Sequence, residues 1–152
     1  IFNDVLARRI DTLDAVLDGD WAKKTDTGGM FYVEDASAEA DRAAEFAISP
    51  TGPLVGPRCP PAGGEPGRIE QEVFAARAVP DPVPKRIGSL KLPGGRRALR
   101  FRLGDPSIQA GADEHGAYLE LAFRAPPGAY ATVVLREVRK HDAKTAQRDR
   151  DA

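Results

Sequence analysis

Prolines and glycines recur so densely from Pro50 to Gly67 that this stretch constrains the fold more than any other part of the chain. Proline fixes φ and removes a backbone donor, and glycine weakens helices and strands alike. We therefore predict a loop over residues 49–67. It would separate a helix over residues 37–47, which Ser37 can cap, from a second helix over residues 68–79. No Gly-Lys-Ser/Thr follows the glycines, so this loop is not a phosphate-binding P-loop.

The N-terminal part predicts a helix and a hairpin. Apolar positions within residues 1–9 fit a helix that starts without a methionine, a cap or a turn, so the chain looks cut from a longer one. Residues 21–24 and 30–34 flank Asp26-Thr27-Gly28-Gly29, which is a turn signal. Together they predict a short β-hairpin.

The C-terminal part predicts two strands and a helix. Apolar and polar residues alternate over residues 97–103 and 117–124, and we expect these strands to pair through the polar connection 105–116. A core-facing stripe with i, i+3, i+4, i+7 spacing marks the last helix and consists of Ala131, Val134, Leu135 and Val138. We expect an α+β fold that ends in a charged tail over residues 141–152.

The composition indicates a globular protein without a membrane span or a metal centre. The 152 residues suffice for one domain or for pieces of two. No apolar run approaches the roughly 18 residues that span a bilayer, and no secretory signal opens the chain, so we expect a soluble, cytoplasmic protein. Cys59 has no histidine beside it in the sequence, which favours a loop thiol over a nucleophile. His115 and His141 match no metal-ligand spacing, and we expect neither metal nor cofactor.

A block of positive charge is hidden by the formal net charge of −1. Residues 82–104 carry a local charge of +7 and no acidic residue, which leaves −8 for the rest of the chain. The block consists of Lys85, Arg86, Lys91, Arg96, Arg97, Arg100 and Arg102. Such a block favours a nucleic-acid partner, but it is equally compatible with an edge strand whose charges prevent aggregation.

Six segments resemble, in the same order, the motifs of the TruD family of tRNA pseudouridine synthases. The most specific are Ser49-Pro50-Thr51-Gly52-Pro53-Leu54-Val55-Gly56 and Pro127-Gly128-Ala129-Tyr130-Ala131-Thr132-Val133-Val134-Leu135-Arg136-Glu137. The other four are Ile1-Phe2-Asn3 with Leu6 and Arg8 or Arg9, Leu17-Asp18-Gly19-Asp20, Gly67-Arg68-Ile69-Glu70-Gln71-Glu72 and Gly95-Arg96-Arg97-Ala98-Leu99. Each is weak alone, but together they cover nearly all of residues 1–140.

The resemblance implies an interrupted architecture and a cofactor-free isomerisation. TruD-like enzymes carry a family-specific insertion domain, which residues 1–100 would largely form, and residues 101–140 would be the last strands and helix of the catalytic core. The family breaks the glycosidic bond of a uridine, usually at position 13 of tRNA, rotates the base and rejoins it through carbon 5. Its catalytic aspartate lies in a Gly-X-Lys-Asp segment upstream of the insertion.

No Lys-Asp pair occurs in these 152 residues. The resemblance therefore implies that this chain alone is inactive and that its partners are tRNA and the N-terminal part of the same enzyme. A free-standing RNA-binding module without chemistry is the main alternative, and a protein-interaction domain unrelated to RNA is a third. An upstream Gly-X-Lys-Asp segment in frame would support the enzyme.

The resemblance also gives roles to single residues. Tyr130 takes the position of an active-site aromatic that lies beside the target base; without the resemblance it would be interpreted as a half-buried core tyrosine. Arg136 and Glu137, in the same motif, are candidates for supporting the pocket. Candidates for RNA-phosphate contacts are Arg96, Arg97, Arg100 and Arg102, because a guanidinium can grip a phosphate with two donors. Arg96 and Arg97 could equally brace the junction between insertion and core.

Overall fold

A computed structural model describes residues 1–87 and 89–139 of the chain, and these divide into two units between Phe101 and Arg102. The charged tail predicted over residues 141–152 lies outside the described residues. Helices and antiparallel strands make up both units, which confirms the predicted α+β class. The first unit contains α1 (Phe2–Arg8), a 3-10 turn (Ile10–Thr12), β1 (Trp21–Lys24), β2 (Met30–Tyr32), α2 (Ala40–Ala44), β3 (Ile48–Leu54), α3 (Gly64–Ala76), β4 (Arg86–Ile87), β5 (Leu90–Lys91) and β6 (Gly95–Ala98).

The first unit is organised around a four-stranded sheet of order β2-β1-β3-β6. Its inner strand β3 overlaps the stretch that the sequence predicts to be a loop, so that prediction is wrong for residues 49–54. Proline has a backbone φ compatible with a strand, and only its missing donor weakens the ladder. The ladder with β1 reaches Pro50, which lies opposite Ala22, and the ladder with β6 continues from Thr51, which lies opposite Ala98.

Burial explains why this strand forms despite its prolines. Six of the seven residues of β3 are buried. Gly52 lies under α1, where an added Cβ would approach the Phe2 ring to 3.1 Å and Leu99 to 2.9 Å. Glycine is therefore required at this position by the close approach of the helix, and not by a turn.

Two apolar clusters form the core of the first unit. One contains Val16, Ala22, Val33, Ala43 and Ile48, and it joins β1 and β3 to α2. The other contains Val5, Ile69 and Val73, and it holds α1 against α3. The unit therefore buries its own apolar side chains, as an independently stable domain does.

Two predicted helices have different bounds in the structure. Helix α2 is shorter than the helix predicted over residues 37–47. The Ser37 hydroxyl donates a hydrogen bond to the Asp35 carboxylate and does not cap the helix, and the N-cap residue is Glu39. Helix α3 begins at Gly64, before the predicted start at residue 68. Pro66 lies in its first turn, where the missing N–H costs no hydrogen bond.

The second unit consists of β7 (Gly104–Asp113), β8 (Gly116–Arg124) and α4 (Ala131–Arg139). Strand β8 and the helix follow the prediction, but the pairing does not. The predicted strand 97–103 ends at Ala98, where β6 pairs with β3, and β8 pairs with the segment predicted to be a polar connection. Ile108 is the one large apolar residue of β7, so this strand carries a weaker apolar alternation than β8, and no residue from 102 to 139 is buried.

Candidate nucleic-acid interface

Arg96 lies in the interior of the first unit. Its side chain has no exposed surface and forms an ion pair with Glu70 of α3. Its Nε donates to Thr51 Oγ1 at 2.8 Å, and its Nη1 donates to the Pro60 carbonyl at 2.8 Å. With every nitrogen engaged inside the protein, Arg96 braces β6, β3 and α3 and is not placed to reach a phosphate.

This network brings together three of the segments that resemble the TruD motifs. Thr51, Glu70 and Arg96 come from separate motifs, and Thr51 Oγ1 in turn donates to the Trp21 carbonyl at 2.6 Å. Residues of these three segments thus form one buried polar cluster that fixes the sheet against α3. Buried charges are tolerated only when they are paired and hydrogen-bonded, as they are here.

Two more motifs meet in a second buried ion pair. Arg9 donates to both carboxylate oxygens of Asp20, at 2.9 and 3.0 Å, and both side chains are at most 2% exposed. The Leu17 amide donates to the same carboxylate at 2.8 Å. Of the two arginines in the first motif, Arg9 is therefore the one that holds the fold, whereas Arg8 pairs with Glu72 at the surface.

Arg97 and Arg100 are half-buried and stack on aromatic rings. The Arg97 guanidinium lies 5.5 Å from the centre of the Phe2 ring, and that of Arg100 lies 4.3 Å from the centre of Phe46. Arg100 also donates to the carbonyls of Ala43 and Ile48. Since Ala43 is in the last turn of α2 and Ile48 begins β3, Arg100 joins the end of this helix to the strand.

The remaining lysines and arginines of the basic block are exposed. Lys85, Arg86 and Lys91 line a groove together with Arg58, and Arg102 is exposed at the start of the second unit. The charge pattern of the sequence does not reveal Arg58, because this residue lies outside the block and joins it only through the fold. The structure thus divides one linear charge run into buried braces and a surface groove.

Cys59 is half-buried beside Pro60. Burial raises the pKa of its thiol, so the group stays protonated and weakly nucleophilic near neutral pH. Within residues 1–87 and 89–139, no three His, Cys, Asp or Glu side chains come together as a metal site would need. His141 lies outside the described part of the chain.

The last motif differs from the others because its side chains lie at the surface. Tyr130 is 70% exposed and immediately precedes α4, and its carbonyl accepts a hydrogen bond from the Val133 amide at 3.0 Å. Arg136 and Glu137 are exposed on the same helix. The apolar stripe predicted to face a core is not buried among the described residues, and Leu135 and Val138 are 43% and 56% exposed.

Comparison with known proteins assigns the chain to a family. The model of the family described as tRNA pseudouridine synthase D (TruD) matches residues 1–138. The chain belongs to the TruD family. It is 47% identical over 140 residues to the tRNA pseudouridine synthase D of Geobacter metallireducens and 42% identical over 145 residues to that of a Thermus thermophilus strain. These alignments cover 92% and 94% of this chain.

A solved structure assigned to TruD, from Methanosarcina mazei, matches this TruD chain with a TM-score of 0.71 and 28% identity over 93% of its length. The chain spans little more than a third of the proteins it matches: 34% of the Geobacter protein, 38% of the Thermus protein and 36% of the Methanosarcina chain. In the described residues, no helix has the length and apolar character needed to cross a membrane.

Proposed function

We propose that this chain is the C-terminal part of a cytoplasmic tRNA pseudouridine synthase, which isomerises a uridine, at position 13 of tRNA, to pseudouridine. The observation that carries the proposal is a difference in burial among the six motifs. Residues from five of them are engaged in buried ion pairs and hydrogen bonds that hold the first unit together. In the sixth, Tyr130 is 70% exposed at the start of α4.

Tyr130 would form one wall of the uridine pocket. A base that leaves the helical stack loses a few kcal/mol of stacking and pairing, and an aromatic side chain can replace part of this interaction. Stacking of a base on an aromatic ring contributes roughly 1–3 kcal/mol. An exposed ring at the start of a helix is available for such a contact, and Arg136 and Glu137 on the same helix would support the pocket.

Burial would decide which of the candidate arginines contact RNA phosphate. Arg102 is exposed and would contact RNA phosphate, and the half-buried Arg97 and Arg100 would contribute at their exposed edges. Arg96 would make no RNA contact, because its guanidinium is fully engaged inside the first unit.

The catalytic aspartate would come from the N-terminal part of the same enzyme. This chain has no Lys-Asp pair and spans about a third of its relatives. The second unit supports the proposal, because none of its residues between 102 and 139 is buried and a two-stranded hairpin is marginally stable in water by itself. Packing of α4 and the hairpin against a catalytic core would cover Leu119, Leu135 and Val138, which are now exposed.

A chimeric enzyme tests this function. Joining the upstream part of the Geobacter metallireducens protein to this chain should restore pseudouridine formation in a tRNA transcript, measured as carbodiimide-dependent stops in reverse transcription. This chain alone should give no product above background. The control is the same chimera with the aspartate of its Gly-X-Lys-Asp segment changed to asparagine.

The chimera also distinguishes the enzyme from the non-catalytic RNA-binding module. If it folds and binds tRNA but forms no pseudouridine, the enzyme proposal fails and the non-catalytic RNA-binding module is supported. Product from this chain alone would contradict the placement of the aspartate upstream.

A further inference from the structure

An open, basic groove lies on the first unit, apart from the residues to which the TruD resemblance assigns roles. It has a volume of about 580 Å³ and is lined by Pro57, Arg58, Lys85, Arg86, Lys91, Leu92 and Pro93. All four charged side chains are exposed, and no described residue of the lining is acidic. Because these four carry +4 and the whole chain carries −1, the rest of the chain has a formal charge of −5. The groove is thus a positive site on an otherwise acidic protein.

These cations differ from five other arginines whose side chains are at least partly exposed. Arg8, Arg42, Arg68, Arg77 and Arg124 each form an ion pair with a carboxylate. Within the part of the chain that the structure describes, none of the four groove cations does so. Without carboxylate partners, the four clustered cations leave their positive charge available to an external anion.

The strand pairing at the groove itself favours a bound anion. Arg86 and Lys91 lie directly opposite each other on the β4–β5 hairpin. Like charges in opposite positions repel, and a hairpin with two paired positions has little else to offset the repulsion. An anion between the two side chains would turn the repulsion into attraction.

Backbone contacts hold the groove in shape. The Arg58 amide donates to the Pro93 carbonyl at 2.9 Å, and the Leu92 amide donates to the Lys85 carbonyl at 3.0 Å. Beside them, the backbones of Gly56 and Gly94 are so close that a Cβ on Gly56 would lie 2.3 Å from the Gly94 nitrogen. The two walls are therefore fixed to each other before any ligand binds, which lowers the entropic cost of binding.

We propose that this groove binds the phosphodiester backbone of RNA, independently of base sequence. The choice of RNA as the polyanion rests on the proposed function, since the groove chemistry requires only an extended polyanion. Lysine and arginine are the usual phosphate ligands. The lining has no Asn, Gln, Asp or Glu with which to read adenine or cytosine edges and no aromatic ring on which to stack a base. Its arginines and lysines can also bond guanine edges, so the comparison with a scrambled RNA below tests independence of sequence. Its proline and leucine surface offers only apolar contact to the sugars.

The test measures binding of a labelled tRNA transcript to the 152-residue chain by fluorescence anisotropy, from about 50 to 300 mM KCl. Lys85→Gln with Lys91→Gln should weaken binding at about 100 mM KCl by roughly tenfold or more. The same variant should reduce the slope of log K against log salt by about 0.9 for each phosphate that is no longer neutralised. A scrambled RNA of the same length should bind as tightly as the tRNA.

A matched pair of substitutions controls for net charge. Lys23→Gln with Lys24→Gln removes the same charge at the opposite end of β3, since Lys24 pairs with Ile48 whereas the groove follows Leu54. This control should leave the salt slope unchanged. Trp21 fluorescence melts show that each variant is folded.

Three results would overturn the groove proposal. The first two concern the slope of log K against log salt: no change in the Lys85/Lys91 variant, or an equal change in the Lys23/Lys24 control. The third is displacement of tRNA by polyglutamate at equal charge concentration, which would indicate an acidic protein partner. These outcomes are independent of the chimera assay. A chimera without activity contradicts the proposed function, whereas groove variants that bind like the parent contradict only the groove.

Discussion

Changing Glu70 to alanine is expected to lower the free energy of unfolding of the first unit by about 3–5 kcal/mol. The substitution leaves Arg96 buried without its carboxylate partner, and an uncompensated charge in the interior is costly. Since small domains are stable by about 5–15 kcal/mol, the variant should unfold at a clearly lower urea concentration than the parent. Urea unfolding followed by Trp21 fluorescence measures the effect, because this is the single tryptophan of the chain and its Nε1 donates to the Pro61 carbonyl within the same unit.

Glu72 provides the matched control on the same helix. It pairs with Arg8 and Arg68 at the surface and is 47% exposed, so Glu72→Ala should cost less than about 1 kcal/mol. Combining Glu70→Leu with Arg96→Met removes both buried charges and should recover part of the loss. Equal destabilisation by Glu70→Ala and Glu72→Ala would show that the buried ion pair contributes no more to the free energy of unfolding than the surface pairs.

These ion pairs change how the family motifs are interpreted. Thr51, Glu70 and Arg96 come from motifs far apart in the sequence, and in the fold they join the sheet to α3. Arg9 and Asp20 do the same for α1 and the turn that precedes β1. A motif residue in this family is therefore not evidence of contact with RNA until its burial is known.

The locally encoded elements could be predicted from the sequence. The turn Asp26–Gly29 predicted the β1–β2 hairpin, and the alternation of residues 117–124 predicted β8 to within one residue. Each signal is contained in a few neighbouring residues, so no distant contact is needed to interpret it.

The elements that were missed depend on distant partners. Strand β3 contains two prolines, and it forms because β1, β6 and α1 bury it, which no local pattern reveals. The same holds for the candidate interface. Arg96 and Lys91 count equally in the charge of the basic block. In the fold, Arg96 forms an ion pair with Glu70, 26 residues away in the sequence, whereas Lys91 lines the groove. Arg58 could not be added to the groove from sequence, because the contact of its amide with Pro93 is set by the fold.

Changing Tyr130 to alanine in the active chimera is expected to lower kcat/KM by about 5- to 150-fold, the equivalent of the roughly 1–3 kcal/mol that base stacking contributes. The ring is 70% exposed, so its removal leaves no cavity within the described residues and should not unfold the second unit. Tyr130→Phe keeps the π-face and should retain most of the activity, which separates stacking from the hydroxyl.

The measurement that identifies stacking is the comparison between turnover and binding. A ring that contacts only the extruded uridine should affect the rate of single-turnover pseudouridine formation and leave the affinity for intact tRNA, and its salt dependence, close to those of the parent. Lys85→Gln with Lys91→Gln should do the reverse, because phosphate contacts are formed before and after the base leaves the stack. Unchanged single-turnover rates in Tyr130→Ala would exclude Tyr130 from the uridine pocket, and a loss of tRNA affinity equal to the loss of rate would make it a general RNA contact instead.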